Sequence, residues 1–216
     1  MKIESKQMRL YAVTDRAWAA DEDDFLAQVE AAIDGGATIV QLREKHLDED
    51  AFLKEAERFV ALCRRKGVIS IINDNVEIAV RTSADGVHVG QSDIRGRDIR
   101  AMIGPDKILG ISAGTVEEAV AAERAGADYI GVGAVFDTST KKITRAMGVE
   151  ELRSISRSVS IPVVAIGGIN AGNILQLSGS GVDGVAVVSA IFGAEDPGRA
   201  TSELRKLSAQ MVAAHG

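Results

Sequence analysis

Gln41, Arg43 and Lys45 alternate along a run that reads Gln41-Leu42-Arg43-Glu44-Lys45, so in an extended segment one face carries an amide and two cations. Such a face can hold an anion, and an ordinary polar strand end is the competing reading. Two carboxylates belong to the same question. Asp74 follows the apolar run ending at Ile72-Asn73, and Asp93 follows Gly90-Gln91-Ser92. Carboxylates brought close together repel unless a cation separates them. Mg²⁺ suits such a pair, because it takes one or two carboxylates together with water and phosphate oxygens. A cap at the start of the helix over 75–80 is the alternative use of Asp74.

Three further stretches could meet phosphate. Asp137-Thr138-Ser139-Thr140-Lys141-Lys142 sets hydroxyls before two lysines, a phosphate-contact loop or an ordinary solvated one. Gly167-Gly168 lets backbone N–H groups approach an anion closely, unless the glycines only make a tight turn. Val187-Val188-Ser189 closes another apolar run just before a turn, where a helix start would favour negative charge. The histidines show no metal-ligand spacing. His88 lies between Val87 and Val89 and reads as structural, and Trp18 falls in an early loop where it could touch a substrate.

These residues need elements that bring them to one place. Apolar, β-branched runs occupy 10–14, 38–42, 69–72, 86–89, 108–111, 129–132, 163–166 and 184–187. Runs apolar on both faces belong to a parallel sheet covered on both sides. Between them lie amphipathic segments. Phe25, Leu26, Val29, Ala32 and Ile33 share a helix face ended by Gly35-Gly36; Thr115 with Glu118 has the spacing of a capping box; Leu204, Leu207 and Met211 line a last helix. About eight βα units predict a closed (β/α)₈ TIM barrel, with 1–216 as one domain. In that fold chemistry gathers at the C-terminal ends of the strands, which is where the polar residues above fall. A phosphate is often held there after strands seven and eight.

Composition narrows the classes. The 216 residues are 46% hydrophobic and 26% charged, which excludes disorder. A net charge of −6 argues against a nucleic-acid partner. Cys63 is the single cysteine, so no intrachain disulfide forms, and its apolar helical neighbours predict a buried thiol. Residues 1–7 lack the apolar centre of a signal peptide and no run approaches membrane-spanning length, so a cytoplasmic location without membrane association is expected. A homo-oligomer stays open.

Taken together, the motifs resemble the thiamine-phosphate synthase family. The matching runs are 41–45, Ile72-Asn73-Asp74-Asn75-Val76-Glu77, Ala84-Asp85-Gly86-Val87-His88-Val89-Gly90-Gln91, Leu109-Gly110-Ile111-Ser112-Ala113, Asp128-Tyr129-Ile130-Gly131 with 138–142, Ala165-Ile166-Gly167-Gly168-Ile169 and Val188-Ser189-Ala190-Ile191. The resemblance implies a TIM-barrel transferase that joins a hydroxymethylpyrimidine diphosphate to a thiazole phosphate, releasing pyrophosphate. It implies that Gln41, Leu42, Arg43, Glu44, Lys45 and Asn73 hold the pyrimidine diphosphate, completed by Ser112 and Lys141. Arg43, Lys45, Ser112 and Lys141 would be catalytic, and Asp74 and Asp93 would carry Mg²⁺. Thr138, Ser139, Thr140, Gly168, Val188 and Ser189 would hold the thiazole phosphate. Such a mechanism, with pyrophosphate leaving first and a carbocation captured by the thiazole nitrogen, needs no strong base or covalent nucleophile. None is suggested by a Ser–His or Cys–His arrangement.

The chain departs from the family pattern at Gly114, where many members have His, and at Ala134 and Asp137, where prolines are common. A thiazole tautomerase with the same barrel is the nearest rival, but those relatives use a His near position 114 and need not keep the aspartates. A non-catalytic binder of thiamine precursors is another alternative, against which the intact basic residues and aspartates speak. A sugar-phosphate isomerase barrel would have no reason to keep 41–45 with Asn73-Asp74.

Overall fold

A computed structural model describes residues 3–94, 96–137 and 146–214. Eight strands, β1 (Leu10–Val13), β2 (Ile39–Leu42), β3 (Ile69–Asn73), β4 (Gly86–Val89), β5 (Ile108–Ala113), β6 (Tyr129–Val132), β7 (Val163–Ile166) and β8 (Gly184–Val187), form a closed barrel in sequence order. Every pairing is parallel, and β1 closes on β8 through Leu10↔Val185. The expected barrel is therefore present. Two strands run past their apolar sequence pattern, β3 to Asn73 and β5 through Ser112 to Ala113. Both additions bring a polar side chain to the same end of the barrel.

The helices form the outer layer: α1 (Glu22–Asp34), α2 (Glu49–Lys66), α3 (Val76–Arg81), α4 (Ile99–Ile103), α5 (Val116–Arg124), α6 (Val149–Ser156), α7 (Ser189–Phe192) and α8 (Pro197–Ala213). The signals in α2 are consistent with one another. Asp48 caps its start by accepting from Ala51 N at 2.9 Å, acidic residues fill the first turn, and Arg64, Arg65 and Lys66 fill the last. Gly67 then takes φ 69°, a left-handed value that stops the helix. Its inner face buries Phe52, Ala56, Phe59 and Cys63 against the strands. Fully burying a side chain such as Phe59 contributes roughly 2–3 kcal/mol. Burial pushes the Cys63 thiol up to about 12, which leaves it protonated and unreactive as expected.

Inside the barrel, alternate strand residues make a second core, with Ile39, Ile69, Ile71 and Ile108 near the base. A 3-10 turn at Ser5–Met8 closes that base with Met8. At the same end, side chains satisfy backbone donors of every other strand. Thr38 Oγ1 accepts from Leu10 N at 3.1 Å, while Asp85, Asp128 and Asp183 carboxylates accept at 2.8 Å from Ser70, Leu109 and Val163 N. Asp85-Gly86-Val87 and Asp183-Gly184-Val185 share this use: the Asp ties down a neighbour, and the Gly gives room. A Cβ at Gly86 would stand 2.3 Å from Ile108 O. No helix among the described residues is long and apolar enough to cross a membrane.

Candidate active site

A cavity of about 500 Å³ opens at the C-terminal end of the barrel and is lined from all eight strands or the loops that follow them. Gln41 and Arg43 enter it from β2 and its loop, Asn73 from β3, Ser112 from β5, and Gly167, Gly168, Val188 and Ser189 from the ends of β7 and β8. These residues, far apart in the chain, are thus brought together. A larger cavity of about 630 Å³ lies outside the barrel against α2. Glu22, Asp48, Glu49, Asp50 and Glu55 outnumber Arg16 and Lys54 in its lining. That lining repels anions, so the mouth cavity is the candidate site.

Alternation along β2 sorts the 41–45 run. Gln41 faces in and is 5% exposed, whereas Leu42 is buried in the layer between strands and helices. Arg43 faces the mouth, and its guanidinium has a loose partner in Asp15 at 3.9 Å. Glu44 turns away from the cavity. It takes Arg16 Nε at 2.9 Å on one oxygen and the backbone N–H groups of Lys45 and His46 at 2.6 and 2.7 Å on the other. Burial opposes its ionisation, but Arg16 and those two N–H groups outweigh burial and hold its carboxyl below the usual range. Arg16 also ion-pairs with buried Glu55 and stands 5.2 Å over the Phe25 ring. Leu42 and the Glu44 side chain therefore lie off the cavity, and Glu44 fixes the backbone at Lys45 and His46.

Lys45 lies outside the cavity lining, with its ammonium 2.5 Å from Asp74 Oδ2. Asp74 does not cap α3; Asn75 does, accepting from Ile78 N at 2.9 Å. Asp74 instead adopts φ 61°, a left-handed value uncommon outside glycine, and its N–H is bound to His88 O at 2.8 Å. Its side chain is thus released from helix duty and given to Lys45. Asp93 closes the loop after β4, with Oδ2 accepting from Gly90 N at 2.8 Å. Among the described residues no three His, Cys, Asp or Glu side chains gather closely enough to cage a metal. Asp74 and Asp93 follow the neighbouring strands β3 and β4, and their hard oxygens are of the kind Mg²⁺ takes beside water and phosphate. A cation already stands at Asp74, in the form of Lys45.

Beyond β7 the backbone itself shapes the site. Gly167 and Gly168 have φ 102° and 67°, and a Cβ on Gly168 would stand 2.3 Å from Asp137 O. Only glycine meets both demands. Asn173 Nδ2 donates to Gly168 O at 2.9 Å and secures the turn. Val188 is the N-cap residue of α7 and Ser189 its first residue, and both line the cavity with Gly168, at the helix end whose first N–H groups have no partner within the helix. Trp18 packs near Gly193, just behind this turn. Thr138, Ser139, Thr140 and Lys141 lie outside the described residues.

Sequence reading passes over the polar floor of the cavity. His88 points inward, with Nδ1 3.0 Å from Tyr129 Oη and Nε2 2.9 Å from Ser112 Oγ. Tyr11 Oη is 2.8 Å from Tyr129 Oη and accepts from Gln41 Nε2 at 2.7 Å. Register explains how the rings meet: His88 pairs with Gly110, which pairs with Tyr129. A Cβ on Gly110 would lie 2.2 Å from the Tyr129 ring and 2.5 Å from His88 Nδ1. Burial keeps both phenols neutral by raising their pKa values. Gln91 Nε2 donates to Ser112 O at 2.7 Å, and Glu118 accepts from Gly114 N at 2.6 Å. The capping-box spacing at Thr115 is thus half used: Thr115 caps Glu118 N, but Glu118 reaches Gly114 at the mouth. The signal available for His88 was strand parity, which sets it opposite Val87 and Val89.

A family profile described as thiamine monophosphate synthase matches residues 10–191. The chain is 51% identical over 187 residues to the thiamine-phosphate synthase of Ruminiclostridium cellulolyticum, covering 87% of this chain and 89% of that one. With the thiamine-phosphate synthase of Clostridium tetani it shares 45% identity over 195 residues, covering 90% and 93%. Among solved structures, thiamine phosphate pyrophosphorylase from Pyrococcus furiosus superimposes with a TM-score of 0.86 at 39% identity, covering 96% of this chain and 98% of that one.

Proposed function

The chain belongs to the thiamine monophosphate synthase family and is a transferase of thiamine biosynthesis, and from that premise we propose how its cavity performs the reaction. It joins 4-amino-5-hydroxymethyl-2-methylpyrimidine diphosphate to hydroxyethylthiazole phosphate, giving thiamine phosphate and pyrophosphate. The observation that carries this reading is a single cavity with groups suited to anions in two separate places. Arg43 stands at one, with Lys45 just outside it, while Gly168 and the α7 start form the other; β1 lies between β2 and β8. Two phosphorylated substrates thus have separate anchors within one space.

On the diphosphate side, the C–O bond to the pyrimidine methylene breaks and its electron pair leaves with pyrophosphate. Arg43 and Lys45 neutralise the charge that grows on that leaving group, and Lys141 is assigned the same duty. Ser112 and Asn73 orient the diphosphate substrate, and Gln41 fixes the pyrimidine. Thr138, Ser139 and Thr140 join Gly168, Val188 and Ser189 around the thiazole phosphate, so the thiazole nitrogen faces the methylene cation and supplies the pair for the new C–N bond. Positioning and exclusion of water do most of the catalysis, and no proton need be removed. Asp74 and Asp93 are the residues that would hold Mg²⁺, which when bound supplies further neutralisation of the diphosphate. A cytoplasmic site of action suits the lone, buried, unpaired Cys63.

Mass spectrometry of mixtures containing both substrates, with Mg²⁺ and again with excess chelator, tests this. Metal-dependent thiamine phosphate is the expected product. Interconversion of thiazole phosphate isomers without coupling would move the chain to the tautomerase branch, and binding of both substrates without turnover would make it a precursor binder.

A further inference from the structure

Five side chains run in one hydrogen-bonded file beneath the cavity: Gln41, Tyr11, Tyr129, His88 and Ser112, with successive separations of 2.7, 2.8, 3.0 and 2.9 Å. They come from β2, β1, β6, β4 and β5, so the file crosses the barrel instead of following the sheet. Each phenol has one hydrogen to give. The Gln41 amide nitrogen can only donate, so Tyr11 Oη receives there, and the buried phenol uses its own hydrogen when it gives it to Tyr129. Running the same way, Tyr129 gives its hydrogen to His88 Nδ1, the bare nitrogen of the Nε2–H tautomer. The ring hydrogen sits on Nε2 and is donated to Ser112 Oγ. Ser112 keeps its own hydrogen for the cavity it lines.

The file therefore has a direction. Reversing it would require Gln41 to present its carbonyl to Tyr11, both phenols to turn, the ring hydrogen to move to Nδ1 and Ser112 to spend its hydrogen on His88. In that state Ser112 would offer the cavity only a lone pair, facing an anionic substrate. Packing limits any escape by rotation. Tyr11 and Tyr129 are 1% and 0% exposed, and Gly110 leaves room for the two rings only because it lacks a side chain. Burial strengthens each link and makes an unpaired member costly.

We propose that Tyr11 and Tyr129 are positioning residues that lock His88 in its Nε2–H tautomer and thereby make Ser112 a hydrogen donor toward the leaving diphosphate. The proposal rests on the transferase reading for what Ser112 meets, but not for the tautomer. The chain has three histidines, so two-bond ¹H–¹⁵N correlation of the imidazole rings resolves His88, assigned by its loss in His88→Gln. The resting enzyme should show a pyridine-like Nδ1 and a pyrrole-like Nε2. Tyr129→Phe should abolish that pattern and lower kcat about tenfold, with KM for thiazole phosphate unchanged. Should Tyr129→Phe fail to fold, Tyr11→Phe reads the same device, because Tyr129 is then free to accept from Nδ1 and both tautomers populate.

A pyrrole-like Nδ1 in the unaltered protein overturns the proposal. So does a tyrosine variant that leaves either the tautomer pattern or kcat unmoved. The spectrum is taken without substrate, so a failed coupling assay beside the expected tautomer would sink the transferase reading and leave the lock standing.

Discussion

The two ends of the barrel use similar residues for opposite purposes. At the base, Thr38, Asp85, Asp128 and Asp183 each turn a side-chain oxygen onto a neighbouring strand N–H, and Met8 fills the middle. Polar groups there are used up internally. At the mouth, among the described residues the Arg43 guanidinium has a partner only at 3.9 Å, Asp74 is relieved of capping by Asn75, and the first residue of α7 lines the cavity. Polar groups there are held in place with capacity to spare. An aspartate after a strand and one before a strand look alike in one dimension, and their end of the barrel decides which is machinery and which is fastening.

The contrast can be broken most sharply at Arg43. Arg43→Ala should lower kcat/KM by about 10²–10³, as loss of a charge-stabilising donor does. Its Tm should stay within about 2 °C of the unaltered protein. A large fall in Tm with little kinetic change would erase the division of labour. Next in size is the opposite experiment at the base. Asp128→Ala strands the Leu109 N–H and removes one of several partners of Arg100, at 2.5 Å. It should cost about 2 kcal/mol, or roughly 4–8 °C in Tm, with kcat unchanged, by calorimetry and steady-state assay.

Gly168→Ala tests a position where both demands meet. Its left-handed φ and the nearby Asp137 carbonyl oppose a Cβ, so KM for thiazole phosphate should rise about tenfold while KM for the diphosphate holds. The smallest effect concerns Glu44. Its carboxyl is held below the ordinary range by Arg16 and two backbone N–H groups despite burial. The stability it adds is present above its unfolded pKa of about 4.3 and is lost as pH falls through the lower folded value. Urea unfolding should find Glu44→Gln weaker than the unaltered chain at pH 7, with the gap closing toward pH 3. A gap independent of pH would remove the ionic account.

Much of the barrel was legible because its strands are apolar on both faces, a pattern carried by local residue order alone. The strand ends were harder. Asn73, Ser112 and Ala113 continue β3 and β5 although polarity rises there, because the cavity accepts polar side chains that a core would not. Residues 41–45 read as one unit, yet the pleat divides them between the cavity and its support. Asp74 and Asn75 are both capable caps, and only backbone torsion separates their roles. His88 reads as structural but its network stays hidden for a related reason: its neighbours in the chain are valines, while two of its partners come from positions 112 and 129. Side-chain networks across a barrel leave no mark in local spacing.

Closure of β1 on β8 has a consequence for synthesis. Leu10 meets Val185, and Ser208 of α8 ties back to Arg9 O, so the first strand keeps a bare edge until β8 has been made. Every shorter nascent chain is an open parallel sheet with an apolar margin exposed. Unpaired strand edges of that kind favour aggregation, and the arrival of β8 beside β1 removes this one.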